Sequence, residues 1–236
     1  MLVDIDGTLL HGAPRAHTEA LTGAMREVHG VAASPADVAA IRPGGRTDQE
    51  IARLVLRGHG VDDAAITAAM PDWMRRAAAL YPEVDAGHAD AVVAPGAAAA
   101  LGCVRRAGGS LALLTGNLEP IARAKMARAG LGPWFPAGGG AFGSDHESRD
   151  ALVPIALARA AAGGTDGARV IVVGDTPRDI ACARAGGALC VAVATGPHGA
   201  DELAGADAVA GDLAEAAFAL EEMLADTGPP RGGGPR

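Results

Sequence analysis

Asp4 and Asp6 stand two residues apart at the end of a short apolar run. If residues 2–5 form a strand, positions i and i+2 point the same way, so both carboxylates face one crevice. Like charges at that range resist joint ionisation unless a cation joins them. Asp6-Gly7 between apolar neighbours is also a hairpin signal, so this string alone leaves both chemistry and a turn open. A second string, Leu113-Leu114-Thr115-Gly116-Asn117 with Pro120 beyond it, ends a strand on a hydroxyl and opens a helix. Glycine there lets the backbone approach a ligand, and N–H groups at a helix N-terminus attract an anion. An ordinary strand-to-helix turn with Asn117 as its cap accounts for the same residues. In the third string, Val173-Gly174-Asp175-Thr176-Pro177-Arg178-Asp179, Asp175 is placed to bind a hard cation through oxygen. Thr176, Pro177 and Asp179 supply a cap, a first-turn proline and an early acid. Capping explains Asp179 as well as metal binding does, but it does not explain Asp175.

Three such strings matter only if the fold gathers them. Apolar runs at 2–5, 111–114, 170–173 and 189–194 lack alternation, as strands buried on both faces do. Helical patterns at 121–129 and 180–185 close on Gly130 and Gly186. The alternation predicts an α/β fold, a doubly wound, Rossmann-like parallel sheet, with ligands outside the carboxyl ends of its strands. All three strings sit at such ends.

Residues 13–91 read differently, as an inserted all-α cap domain. Leu21, Met25 and Val28 recur at helical spacing, and Ser34-Pro35 is a cap with a first-turn proline. Thr47-Asp48-Gln49-Glu50 reads as a capping box ahead of Ile51, Leu54 and Val55. A further helical stretch covers 62–80, with a break expected at Pro71. The expected division is a core of 1–12 plus 92–226, a cap of 13–91 and a flexible Gly/Pro-rich tail of 227–236. Asp4 follows too few residues for a strand of the usual length of about 5 or 6, so a natural start upstream of Met1 is expected.

With 49% hydrophobic but only 3% aromatic residues, the core must be packed by Ala, Val, Leu and Ile. A net charge of −8 argues against nucleic acid or an anionic membrane as partner. Cys103, Cys182 and Cys190 fit neither a disulfide framework nor a zinc spacing and read as buried thiols. Without a basic-then-apolar leader or an apolar run of ~18 residues, the expectation is a soluble, cytoplasmic protein.

Taken together, the three strings resemble the haloacid dehalogenase superfamily. Asp4-Ile5-Asp6-Gly7-Thr8 resembles its first motif, Thr115-Gly116-Asn117 its second, and Gly174-Asp175 through Asp179 its fourth. The likeness runs from Asp4 to about Asp212. The insert is similar to that family's small α-helical cap, as in phosphoglycolate-phosphatase-like members. The resemblance implies that Asp4 attacks a phosphate monoester and forms an aspartyl-phosphate, while Asp6 acts as acid and then base. It implies Mg²⁺ held by the Asp4 carboxylate, the Asp6 carbonyl and Asp175, with Asp179 assisting. Thr115 and the Gly116 N–H would hold phosphate oxygens of a small phosphorylated metabolite.

The family's third motif is where this chain departs. Members commonly place a lysine, often followed by proline, upstream of the fourth-motif acid; here stands Ser148-Arg149-Asp150. Arg149 matches in position but not in type. Lys125 matches in type but not in position, and it is the only lysine in the chain. A planar fork and a compact point charge are not interchangeable, so both remain candidates for the cation beside the phosphate. An acid at position 6 suits phosphate esters rather than dehalogenation. A phosphomutase, or a non-catalytic phospho-ligand or protein-binding module on the same fold, are the alternatives. Arg46 is the cap's one candidate substrate contact, beside its plainer reading as the neighbour of a helix cap.

Overall fold

The computed structural model describes residues 1–12, 15–86, 91–164 and 169–225, so the expected tail at 227–236 lies outside the described residues. Strand β1 (Leu2–Val3) leads through β2 (Leu10–His11) into four helices: α1 (Arg15–His29), α2 (Pro35–Ala40), α3 (Asp48–Gly58) and α4 (Asp63–Asp85). The chain returns along β3 (Val92–Val93), antiparallel to β2. Helices and strands then alternate: α5 (Ala97–Arg106), β4 (Ala112–Thr115), α6 (Glu119–Arg128), β5 (Ala141–Phe142), α7 (Leu152–Ala162) and β6 (Ile171–Gly174). The last elements are α8 (Pro177–Ala185), β7 (Leu189–Val193), β8 (Ala208–Ala210) and α9 (Leu213–Ala225).

Six of these strands form one parallel sheet in the order β5-β4-β1-β6-β7-β8, the doubly wound arrangement expected. Strand order reverses at β1, which is where such sheets open a crevice. Val3 lies opposite both Leu113 and Val173, so β1, β4 and β6 end nearly level. The Asp4 N–H extends the ladder by donating to the Val173 carbonyl at 2.9 Å. Short as β1 is, its register delivers Asp4, Thr115 and Asp175 to one edge.

Alternation along each strand serves two helical layers. Val3, Leu113, Val173, Val191 and Val193 face α5 and α9, whereas Leu2, Leu114, Val172, Cys190 and Ala192 face α7 and α8. Both faces are dry, and burying each of the Val and Leu side chains stabilises the fold by about 1.5–3 kcal/mol. The three cysteines are buried free thiols. Among the described residues no helix is long and apolar enough to cross a membrane.

The insert has its own core of Leu21, Met25, Ile51, Leu56, Ile66 and Trp73, which Leu118 and Ile121 at the start of α6 join. It is thereby seated on the sheet domain through α6. Ser34 caps α2 with Pro35 in its first turn, as read from the sequence, and Asp37 completes a capping box that was not read there. Thr47 caps α3 by accepting from the Glu50 N–H, but the Glu50 carboxylate turns to Arg46. The break expected at Pro71 is not there: α4 runs unbroken through Pro71 and Pro82. An interior proline forfeits one helical bond and costs about 3 kcal/mol. Ile66, Met70, Trp73, Ala77 and Tyr81, all buried on one side of α4, outweigh that loss.

Candidate active site

At the end of β1 the backbone turns sharply, with the Ile5 carbonyl accepting from Leu9 at 2.9 Å and Leu10 at 2.8 Å. Asp6-Gly7 is therefore a turn, and it also presents acids to the crevice; the two sequence readings coexist. Gly7 has φ +85°, and a Cβ there would strike the Asp175 carboxylate, so that close approach requires glycine. Thr8 Oγ1 donates to Asp175 Oδ1 at 3.1 Å.

Asp4, Asp175 and Asp179 are buried, with one oxygen of each within 4.8 Å of the others. Arg149 reaches into this cluster. Its Nη2 lies 3.3 Å from Asp4 Oδ1 and pairs with Asp179, while Nη1 donates to the Gly45 carbonyl of the insert at 3.2 Å. Asp179 completes the capping box of α8, accepting from Thr176 N–H at 3.0 Å and Oγ1 at 2.7 Å. One arginine does not balance three acids. Burial, helped by Asp179 and Asp6 against the pull of Arg149, pushes Asp4 up to about 7. Burial, then Asp4 and Asp179, pushes Asp175 up to about 8. A dry cluster of carboxylates that must otherwise retain a proton near neutrality is one that a hard divalent cation relieves. Its all-oxygen donors fit Mg²⁺.

Asp6 belongs to a second, distinct network. Lys125 Nζ sits 2.6 and 2.8 Å from its two oxygens and 2.8 Å from Asn117 Oδ1. Asn117 Nδ2 in turn donates to Asp6 Oδ2 at 2.8 Å and to Thr115 Oγ1 at 2.7 Å. Burial would raise the Asp6 carboxyl, but Lys125, with the Asn117 hydrogen bond, holds it below the ordinary carboxylate range. Thus each of the two candidate cations has its own acid: Arg149 serves Asp4 and Lys125 serves Asp6. Asn117 does not cap α6 as a plain turn would have it. The Leu118 N–H is met by Asp48 at 2.7 Å and the Glu119 N–H by Ser144 at 2.8 Å. From the insert, His17 Nδ1 comes within 3.3 Å of Lys125 Nζ, and Asp48 stands behind the ring, 3.0 Å from Nε2. Asp48 was visible only as part of a capping string, and nothing local marks His17.

These groups line a cavity of about 380 Å³ shared by Asp4, Asp6, Thr115, Gly116, Arg149 and Asp175, with Arg46, Val38 and Ile51 as its far wall. The insert closes tightly over it. Asp48 N–H donates to the Gly116 carbonyl at 2.8 Å and Gln49 Nε2 to the Gly143 carbonyl at 2.6 Å. Arg46 lines the cavity, but its charge is met within the insert by Glu50 and the Ile41 carbonyl.

Comparison with known proteins bears on this arrangement. Residues 1–184 match the family model of the haloacid dehalogenase-like hydrolases. A phosphoglycolate phosphatase of Rhodospirillum rubrum is 31% identical over 201 residues, 83% of this chain and 79% of that protein. The protein named Probable phosphatase IndB, from Dickeya dadantii, is 28% identical over 212 residues, 88% of this chain and 86% of that one. Among solved structures, CbbY from Rhodobacter sphaeroides in complex with phosphate superposes with a TM-score of 0.61 at 20% identity, covering 91% of this chain and 94% of that one. A level edge of strand ends carrying paired aspartates, a threonine-glycine turn and a further acid, roofed by an inserted helical segment, and a family match over most of the sequence lead to one conclusion: the chain belongs to the haloacid dehalogenase-like hydrolase family.

Proposed function

We propose that this hydrolase cleaves a small-molecule phosphate monoester through an aspartyl-phosphate on Asp4, with Mg²⁺ as cofactor. The observation that carries the reading is that buried Asp4, Asp175 and Asp179 bring one oxygen each within 4.8 Å of the others at the ends of neighbouring parallel strands, beside the Thr115-Gly116 turn. Asp4 lies among acids with one arginine, and Asp6 lies against the ammonium of Lys125. The Asp4 carboxylate attacks phosphorus. The Thr115 hydroxyl and Gly116 N–H hold phosphate oxygens, with Arg149 adding positive charge beside Asp4. Asp6, kept ionised by Lys125 in the free protein, must take up a proton as the anionic substrate binds; it gives that proton to the leaving alkoxide and regains one from the water that hydrolyses the intermediate. Mg²⁺ would be held by the Asp4 and Asp175 carboxylates and the Asp6 carbonyl, and it supplies positive charge to the transferring phosphoryl group. Asp179, whose oxygens already serve Arg149 and Thr176, assists that site by its charge.

The domain division follows the same logic, with 13–91 as a cap over a core of 1–12 plus 92–226. Three buried free cysteines suit a reducing, cytoplasmic setting. The test is a panel of phosphorylated metabolites assayed with and without chelator, with Asp4→Ala as blank. Metal-dependent phosphate release, absent in the blank, is expected; release undiminished in Asp4→Ala would overturn the assignment. Rearranged sugar phosphate in place of free phosphate would point to a mutase.

A further inference from the structure

The Lys125 ammonium carries three N–H groups, and each has an acceptor. Asp6 takes one at 2.6 Å, Asn117 Oδ1 another at 2.8 Å, and His17 Nδ1 lies 3.3 Å away. The first two acceptors come from the sheet domain, and the third arrives on α1 of the insert. An ammonium can only donate, so Nδ1 must be the bare ring nitrogen and the His17 proton must sit on Nε2. Nε2 lies 3.0 Å from the Asp48 carboxylate, which can only accept. Asp48 is itself pinned. It is buried on α3, takes the Leu118 N–H at 2.7 Å and gives its own N–H to the Gly116 carbonyl at 2.8 Å. One tautomer satisfies every group in the run Asp48–His17–Lys125–Asp6, and the run crosses from the insert to the sheet.

We propose that His17 and Asp48 are positioning residues: the helical insert, besides roofing the cavity, holds Lys125 against Asp6. Asp6 is then aligned for proton transfer only while α1 and α3 are seated. The word transfer rests on the phosphatase reading; the hydrogen-bonded run does not. Packing alone would explain a largely enclosed ring, and His17 does meet Tyr81 edge-on at 6.3 Å between centroids. Packing does not explain why both ring nitrogens find charged partners in different elements.

Because Lys125 is the only lysine, protein labelled at lysine Nζ gives a single side-chain signal, and histidine ring ¹⁵N labelling reports the tautomer. Expected for the unmodified protein are a pure Nε2–H tautomer at His17 and an ammonium signal protected from water exchange. His17→Leu keeps most of the bulk and removes both nitrogens. It should lose the protected signal and lower kcat by up to about 100-fold, since small misplacements cost that much, with KM nearly unchanged. His17→Gln can accept from Lys125 and donate to Asp48, and it should restore both signal and kcat. An Nδ1–H tautomer, or a Leu variant with wild-type signal and turnover, or a Gln variant no better than Leu, would overturn the proposal. The tautomer is read on unmodified protein, so a variant that fails to fold leaves the test standing. Should no phosphate ester turn over, the phosphatase reading fails, and the resonances still decide this one.

Discussion

Stripping divalent metal and raising pH from 5 to 8 should destabilise this protein, contrary to the usual behaviour of paired carboxylates. Asp4 and Asp175 are raised in the folded state to about 7 and about 8, from ordinary values of 3.8, chiefly by burial and mutual repulsion. Between those limits the folded protein retains a proton that the unfolded chain has released, so stability falls as pH rises and levels off above about 8. Two carboxylates this close share one proton, so the shift is counted once. Roughly 3 pH units at about 1.4 kcal/mol each gives on the order of 4 kcal/mol as an upper bound. At about 2–4 °C per kcal/mol for a chain of this size, Tm should drop by roughly 10 °C. Asp6 works in the opposite sense, because Lys125 depresses it; its contribution is lost only as pH falls below the ordinary carboxylate range. Thermal denaturation followed by circular dichroism, with chelator and with millimolar Mg²⁺, reads the effect directly. Mg²⁺ should stabilise little at pH 5 and most at pH 8, where the cation replaces the retained proton. Asp175→Asn should flatten the metal-free profile and lose the Mg²⁺ response. A metal-free Tm constant from pH 5 to 8, or an equal Mg²⁺ effect at both ends, would refute the electrostatic reasoning.

Arg149→Met strands Asp4 and Asp179 without their buried partner and should cost about 3–5 kcal/mol in urea unfolding with chelator present. Lys125→Met should lower kcat by about 100-fold or more and move the Asp6 limb of its pH profile upward, because burial then outweighs the Asn117 hydrogen bond that remains. Lys125→Arg should not rescue it, since a planar fork cannot make the same three contacts. Gly116→Ala would press a methyl group against the Arg46 carbonyl and unseat the insert. Hydrogen exchange should rise at the N-terminus of α3 while the β6 and β7 amides stay protected.

The sheet edge that carries the candidate site was legible because its parts are local. Each apolar run in β1, β4 and β6 is followed within two residues by a candidate site residue, and parallel pairing gathers the ends. The two-residue strands β2, β3 and β5 and the three-residue β8 were not legible, since they exist only through pairing. Pro71 misled because the cost of a proline is local, whereas the burial of Trp73 that offsets it comes from α1. Spacing could not show that Arg149 and Lys125 reach different aspartates of the same turn, because both contacts are made across the fold. His17 and Asp48 carry no local signature; they lie 108 and 70 positions from their partners on or beside α6. Asn117 looked like a cap because asparagine before a helix commonly is one, and here other side chains meet those amides.

In the proposed reaction Asp4 is the group that takes the phosphoryl. Protein quenched during turnover of a substrate found in the metabolite panel, then reduced with borohydride, converts an aspartyl-phosphate to homoserine. Tryptic residues 1–15 carry both Asp4 and Asp6, so one fragment decides between them. Homoserine at position 4, abolished by chelator, is the expected result; homoserine at position 6, or an unaltered fragment under steady turnover, would contradict it.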